Sequence, residues 1–218
     1  MIIKAKPLPV PVFKFLGFFI FPILRRRFNK EFIKSAELKP SGTHSYLLMC
    51  NHFSFWDGLF AQYLFLYVLN KQQPLKAMYV MSVKKQMEMK WWLRYIGSFS
   101  VEPGKRSVRE SLEYAAEVLN TPGNVLLYYP QGNLESAHIR HIVFQDGVYE
   151  IIKGIKGDCQ LLWCSILIEY FESLKPSVYF NFLDCGTNRE FDFETLKKQV
   201  NEFHNQAIAN NFRFTEER

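Results

Sequence analysis

An α/β fold, with a mainly parallel (mixed) central sheet flanked by helices and an amino-terminal membrane-associated helical segment, is predicted from three features of this 218-residue chain. Short apolar, strand-like runs alternate with helix-period stretches over most of its length, the pattern of a layered α/β domain. Two polar loops, after Cys50 and after Tyr129, each follow such a run, as do the reactive loops at the carboxyl edge of a sheet. The amino terminus carries a ten-residue apolar run, Phe15 to Leu24, closed by Arg25-Arg26-Arg27.

The elements follow in order. Gly42 to Cys50 reads as a turn and a buried strand. Trp56 to Leu69 is apolar on most faces and predicts a helix, closed by Asn70 and then Pro74. Ala77 to Val83 is a strand, Lys84 to Tyr95 a short helix rich in Met and Trp, and Ile96 to Val101 an extended piece running into the turn Glu102-Pro103-Gly104. Ser107 and Glu110 form a candidate capping box. The helix behind it presents Val108, Leu112, Ala115 and Leu119 on one face and stops at Asn120-Thr121-Pro122-Gly123. Asn124 to Tyr129 is a strand, Phe144 to Lys153 a helix, and Leu161 to Ile168 and Ser177 to Leu183 are strands. Asp192 caps a last helix whose face is Leu196, Val200, Phe203 and Ala207.

Length allows one domain plus a small appendage: an anchor segment over 1–40 and an α/β domain over 41–218. Phe15 to Leu24 is too short to cross a bilayer, which takes roughly 20 residues, and no small-residue cleavage site follows it. A membrane-surface or re-entrant anchor fits, with Phe, Leu and Ile in the interface and arginines against anionic head groups; the alternative is a helix packed on the core. The net charge of +6 fits an anionic partner or plain solubility. Nucleic acid has only that charge behind it, since no zinc spacing or helix-turn-helix is present. Cys50, Cys159, Cys164 and Cys185 lack C-x-x-C spacing and read as reduced core cysteines. His138 and His141 have no third ligand in sight, so no metal is expected.

Chemistry concentrates in Asn51-His52-Phe53-Ser54-Phe55-Trp56-Asp57. An imidazole and a carboxylate five residues apart, in a turn between strand and helix, let Asp57 hold one ring nitrogen of His52. The other nitrogen is then free to take a proton from an alcohol or water. Ser54 is either a nucleophile or, two residues from His52, a helix cap.

This block resembles the first block of the lysophospholipid acyltransferase family (glycerolipid, or 1-acylglycerol-3-phosphate acyltransferase-like). Downstream, Val83-Lys84 is similar to the family's second landmark. Gly97-Ser98-Phe99-Ser100-Val101-Glu102 sits where the family has Gly-x-x-Phe-Ile-Asp-Arg, and Tyr129-Pro130-Gln131-Gly132 where it has Phe-Pro-Glu-Gly. Phe144 and Gly147 match the Phe-x-x-Gly that follows. The family glutamate is Gln131 here, the Thr-Arg after it is Asn133-Leu134, and the second-block arginine is Pro103, with Lys105 and Arg106 nearby.

The resemblance implies transfer of a fatty acyl group from acyl-CoA or acyl-carrier protein, as co-substrate and with no cofactor, to the hydroxyl of a lysolipid. His52 and Asp57 would be the catalytic pair. Asn51, Ser54, Lys84, Lys105, Arg106, Gln131, Gly132 and Asn133 would bind substrate, with the N–H of Gly132 or a neighbour facing the oxyanion. The departures leave two alternatives: a non-catalytic lipid-binding relative, or transfer to a phosphate-free acceptor such as an aminoacyl lipid or glycolipid. The expected location is the cytoplasmic face of a membrane, peripheral or monotopic.

Overall fold

The computed structural model describes residues 1–54, 56–171 and 173–211; the last seven residues of the predicted 41–218 domain lie outside that set. Seven strands form one sheet: β1 (Glu31–Lys34), β2 (His44–Cys50), β3 (Ala77–Val83), β4 (Ser98–Val101), β5 (Asn124–Tyr128), β6 (Asp158–Glu169) and β7 (Ser177–Thr187). Their spatial order is β1-β7-β6-β2-β5-β3-β4. All neighbours are parallel except β6 and β7, which are antiparallel, so the mixed, mostly parallel sheet holds. The short edge strand β1 has no counterpart among the predicted strands.

Both faces of the sheet are covered, which is why its central strands read as unbroken apolar runs rather than as alternation. Tyr46, Leu48 and Cys50 of β2 point into one core; Leu47 and Met49 point into the other. On the first face lie α1 (Val10–Arg25) and α2 (Asp57–Leu64). From α2 the chain continues through a π-helical turn, Phe65–Leu69, into α3 (Asn70–Gln72), three residues beyond the predicted end. On the second face lie α5 (Val108–Leu119), α6 (Gly147–Gly154) and α7 (Phe193–Asn210). The predicted Lys84 to Tyr95 helix divides into α4 (Lys84–Met89) and a 3₁₀ segment, Trp91–Ile96.

That segment ends at Gly97, whose φ of +92° and closeness to the sheet leave no room for a side chain: an added Cβ would stand 1.9 Å from the Met78 carbonyl oxygen. Only glycine turns the chain here into β4.

Two predicted caps fare differently. Asp192 accepts the Thr195 N–H at 2.8 Å and opens α7 as expected. Ser107 makes no capping bond and is already helical at φ −65°, ψ −12°; its hydroxyl donates instead to Glu102 at 3.2 Å. The capping box is therefore not formed, because the carboxylate at the end of β4 takes the serine.

Helix α1 packs on the core along one side, as the alternative reading of the amino-terminal run expects. Phe13, Gly17, Phe21 and Leu24 are buried against the core, while Phe15, Phe18, Phe19, Ile20 and Ile23 stand exposed on the outer side.

Candidate active site

Parallel pairing of β2 with β5 brings their carboxyl ends side by side, so the loops after Cys50 and Tyr129 meet at one edge of the sheet. His52 leaves β2 there. Its Nδ1 lies 2.7 Å from Oδ2 of Asp57, the first residue of α2. The same carboxylate oxygen accepts the N–H groups of Phe53 at 2.8 Å and Ser54 at 2.9 Å. Three donors thus converge on one oxygen, and the tight turn forces the imidazole and the carboxylate together.

Asp57 is 1% exposed and His52 side-chain exposure is 28%, so the acid is sealed beneath a ring that still meets solvent. With Nδ1 of His52 engaged by the Asp57 carboxylate, Nε2 is the ring nitrogen left for a substrate proton. Tyr129 stacks on the imidazole with ring centroids 4.3 Å apart and planes tilted by 23°. Burial holds the Tyr129 hydroxyl well above its ordinary pKa, so it stays neutral. Among the described residues neither that hydroxyl nor Oδ1 of Asp57 has a hydrogen-bond partner. Both orphaned atoms belong to residues that pack directly on the imidazole.

The other predicted site residues divide by what they touch. Gln131 is 3% exposed; its Oε1 accepts the His52 N–H at 2.8 Å and its Nε2 donates to the Glu135 carboxylate. It joins the two loops and positions the backbone of His52. Asn51 is equally buried and spends both ends of its amide on the Ile166 backbone, extending the β2–β6 ladder with its side chain. Ser54 Oγ accepts the Trp56 N–H at 2.9 Å, a turn bond rather than the predicted helix cap. The Gly132 N–H closes a turn on the Tyr129 carbonyl at 3.1 Å, which takes it away from the oxyanion role. Asn133 is exposed on the same loop.

Lys84 and Lys105 lie toward the other side of the edge, at the ends of β3 and β4. Both ammonium groups are 3.1 Å from the Glu102 carboxylate, which Ser107 also approaches. Hydrogen bonds from Lys105 and then Lys84 pull the Glu102 carboxyl down to about 2. Arg106 is exposed beside them. The strand order β2-β5-β3 puts Lys84 two strands from His52, roughly 10 Å at ordinary strand spacing.

Sequence reasoning missed Glu135, Tyr129 and Glu102. Glu135 has no local signal: its N–H donates to the His52 carbonyl at 2.8 Å only because the two loops are neighbours. A cleft of about 500 Å³ adjoins the loop that carries His52; Arg27, Phe53, Ser54, Trp56, Glu135, Ile168 and Tyr170 line it, while His52 and Asp57 do not.

A family model described as Acyltransferase matches residues 28–163; of the residues named for this site, Arg27, Ile166, Ile168 and Tyr170 fall outside that range. No curated protein matches the chain in sequence. Among solved structures, the 1-acyl-sn-glycerophosphate (LPA) acyltransferase PlsC of Thermotoga maritima is similar at a TM-score of 0.61 and 14% identity, over 94% of this chain and 82% of that one. At that identity the likeness is one of fold.

Proposed function

Because the chain belongs to the acyltransferase family, we propose that it moves a fatty acyl group from acyl-CoA or acyl-carrier protein to the hydroxyl of a lysolipid or other lipid acceptor, with His52 as general base. The observation that carries this reading is the 2.7 Å contact between His52 Nδ1 and a sealed Asp57. In the proposed step Nε2 takes the acceptor hydroxyl proton as the oxygen attacks the thioester carbonyl. The tetrahedral intermediate collapses by breaking the C–S bond, and the departing thiolate takes the proton back from the imidazolium. Asp57 and the Tyr129 ring stabilise the transient cation from two sides. No acyl-enzyme is formed, which leaves Ser54 to its turn bond.

A phosphate-free acceptor is the second reading, supported by Pro103 and Leu134 standing where the family has arginines and by the Glu102 carboxylate engaging Lys84 and Lys105.

The proposed place of action is the cytoplasmic face of a membrane. Five exposed apolar side chains on α1 (Phe15, Phe18, Phe19, Ile20, Ile23), followed by Arg25, Arg26 and Arg27, support a surface anchor, as do exposed Trp91 and Trp92. No described helix is long and apolar enough to cross a membrane.

The test is incubation of the purified chain with acyl-CoA or acyl-carrier protein and a panel of single-chain lipids, followed by mass spectrometry. The expected result is a lipid heavier by one acyl group with stoichiometric release of thiol. Failure to acylate any hydroxyl-bearing lipid from either donor would overturn the proposal.

A further inference from the structure

We infer that the cleft beside His52 selects an acceptor headgroup carrying a positive and a negative charge together, as in a zwitterionic lysolipid. The inference rests on the acyl-transfer reading above and goes on to the acceptor's chemistry. Two opposite charges line the cleft. Arg27 comes from the turn after α1 and Glu135 from the loop after β5, and no described carboxylate forms an ion pair with Arg27. Phe53, Trp56, Ile168 and Tyr170 line the same cleft with aromatic and aliphatic surface. A carboxylate beside aromatic faces suits an alkylammonium, and a guanidinium suits a phosphate diester or carboxylate.

Other occupants fit less well. An acyl tail has no use for either charge. The phosphates of coenzyme A, and a phosphate monoester, would meet Glu135 as a like charge. Glu135 is also tied to the catalytic loop, since its N–H donates to the His52 carbonyl and its carboxylate accepts from Gln131. A headgroup held there sits against the loop that carries the base.

The experiment compares lysolipids of one acyl chain in detergent micelles, with phosphate monoester, phosphoglycerol, phosphoethanolamine and phosphocholine heads, by kcat/KM. The wild-type protein is expected to favour the two zwitterionic heads over the monoester about tenfold, the scale of one charge-assisted contact. Glu135→Gln should collapse that ratio, and Glu135→Lys should invert it. A ratio discounts any misfolded fraction, because that fraction lowers every rate alike. Equal use of all heads by the wild type, or variants that slow all acceptors by one factor, overturns the cleft assignment alone. A wild type that acylates none of them overturns the acyl-transfer reading, and this inference falls with it.

Discussion

His52 and Asp57 could be paired from the sequence because their partnership is local: a five-residue span across a strand-to-helix turn allows few other geometries. Gln131 was legible as a residue of the neighbouring loop, but not as the hydrogen-bond link to the His52 backbone, which depends on β2 lying against β5. Asn51 and Ser54 were legible by position and not by role, since short polar side chains bond whichever backbone group is nearest. Glu102 was read as part of a turn and of a family block, but not as a partner of the lysines. In the fold it pairs with both Lys84 and Lys105, and this makes a prediction. Glu102→Gln removes the counter-charge and frees two ammonium groups, so kcat/KM for a phosphate-monoester lysolipid should rise roughly 3- to 10-fold relative to a phosphate-free acceptor. An unchanged ratio would show that the lysines do not face the acceptor.

At the scale of elements, β3 and the two caps show what pattern can and cannot supply. The predicted and observed bounds of β3 coincide at Ala77 and Val83. The Ser107 cap failed because a serine that satisfies a capping pattern also satisfies a nearby carboxylate, and tertiary structure chose the latter. Helix α7 shows a role that periodicity hides. Beside the predicted apolar face it carries Asn201, His204 and Asn205, which bond the backbone of Ile142, Ile139 and Arg140 and hold the loop that leads from Glu135.

His204 is buried between the Ser165 hydroxyl and the Ile139 carbonyl, and burial lowers its pKa from 6.5 to about 4. Between those values the unfolded chain binds the proton more readily than the folded one. The stability given by the neutral ring is therefore complete above pH 6.5 and is lost as pH falls toward 4, by roughly 3 kcal/mol. Urea unfolding at pH 7 and pH 4.5 should show His204→Gln losing less stability than the wild type over that interval, by about 2 kcal/mol. Equal losses would contradict the assignment.

At the scale of the whole molecule, the alternation of strand and helix was enough to give a sheet covered on both faces. It gave the mainly parallel, mixed character without saying which pair runs antiparallel; the short connection between β6 and β7 makes them that pair. Nor did it show edge strand β1, four residues with charged ends whose pairing with β7 exists only in three dimensions. The outer face of α1 carries exposed apolar side chains, and a membrane surface is its proposed partner. Phe18 is 70% exposed there. Phe18→Ser should weaken sedimentation with anionic vesicles about tenfold, the effect of roughly 1.5 kcal/mol of lost aromatic burial, without lowering thermal stability. Unchanged vesicle binding would remove α1 from the interface.

The central claim, that residue 52 is the base, is most directly tested by single-turnover acyl transfer with His52→Ala on the acceptor the wild type uses best. The account predicts a rate lower by about 10² to 10⁴, the usual contribution of a positioned base, with melting temperature and vesicle binding retained. Turnover within about twofold of wild type would contradict it, being far smaller than any base contribution.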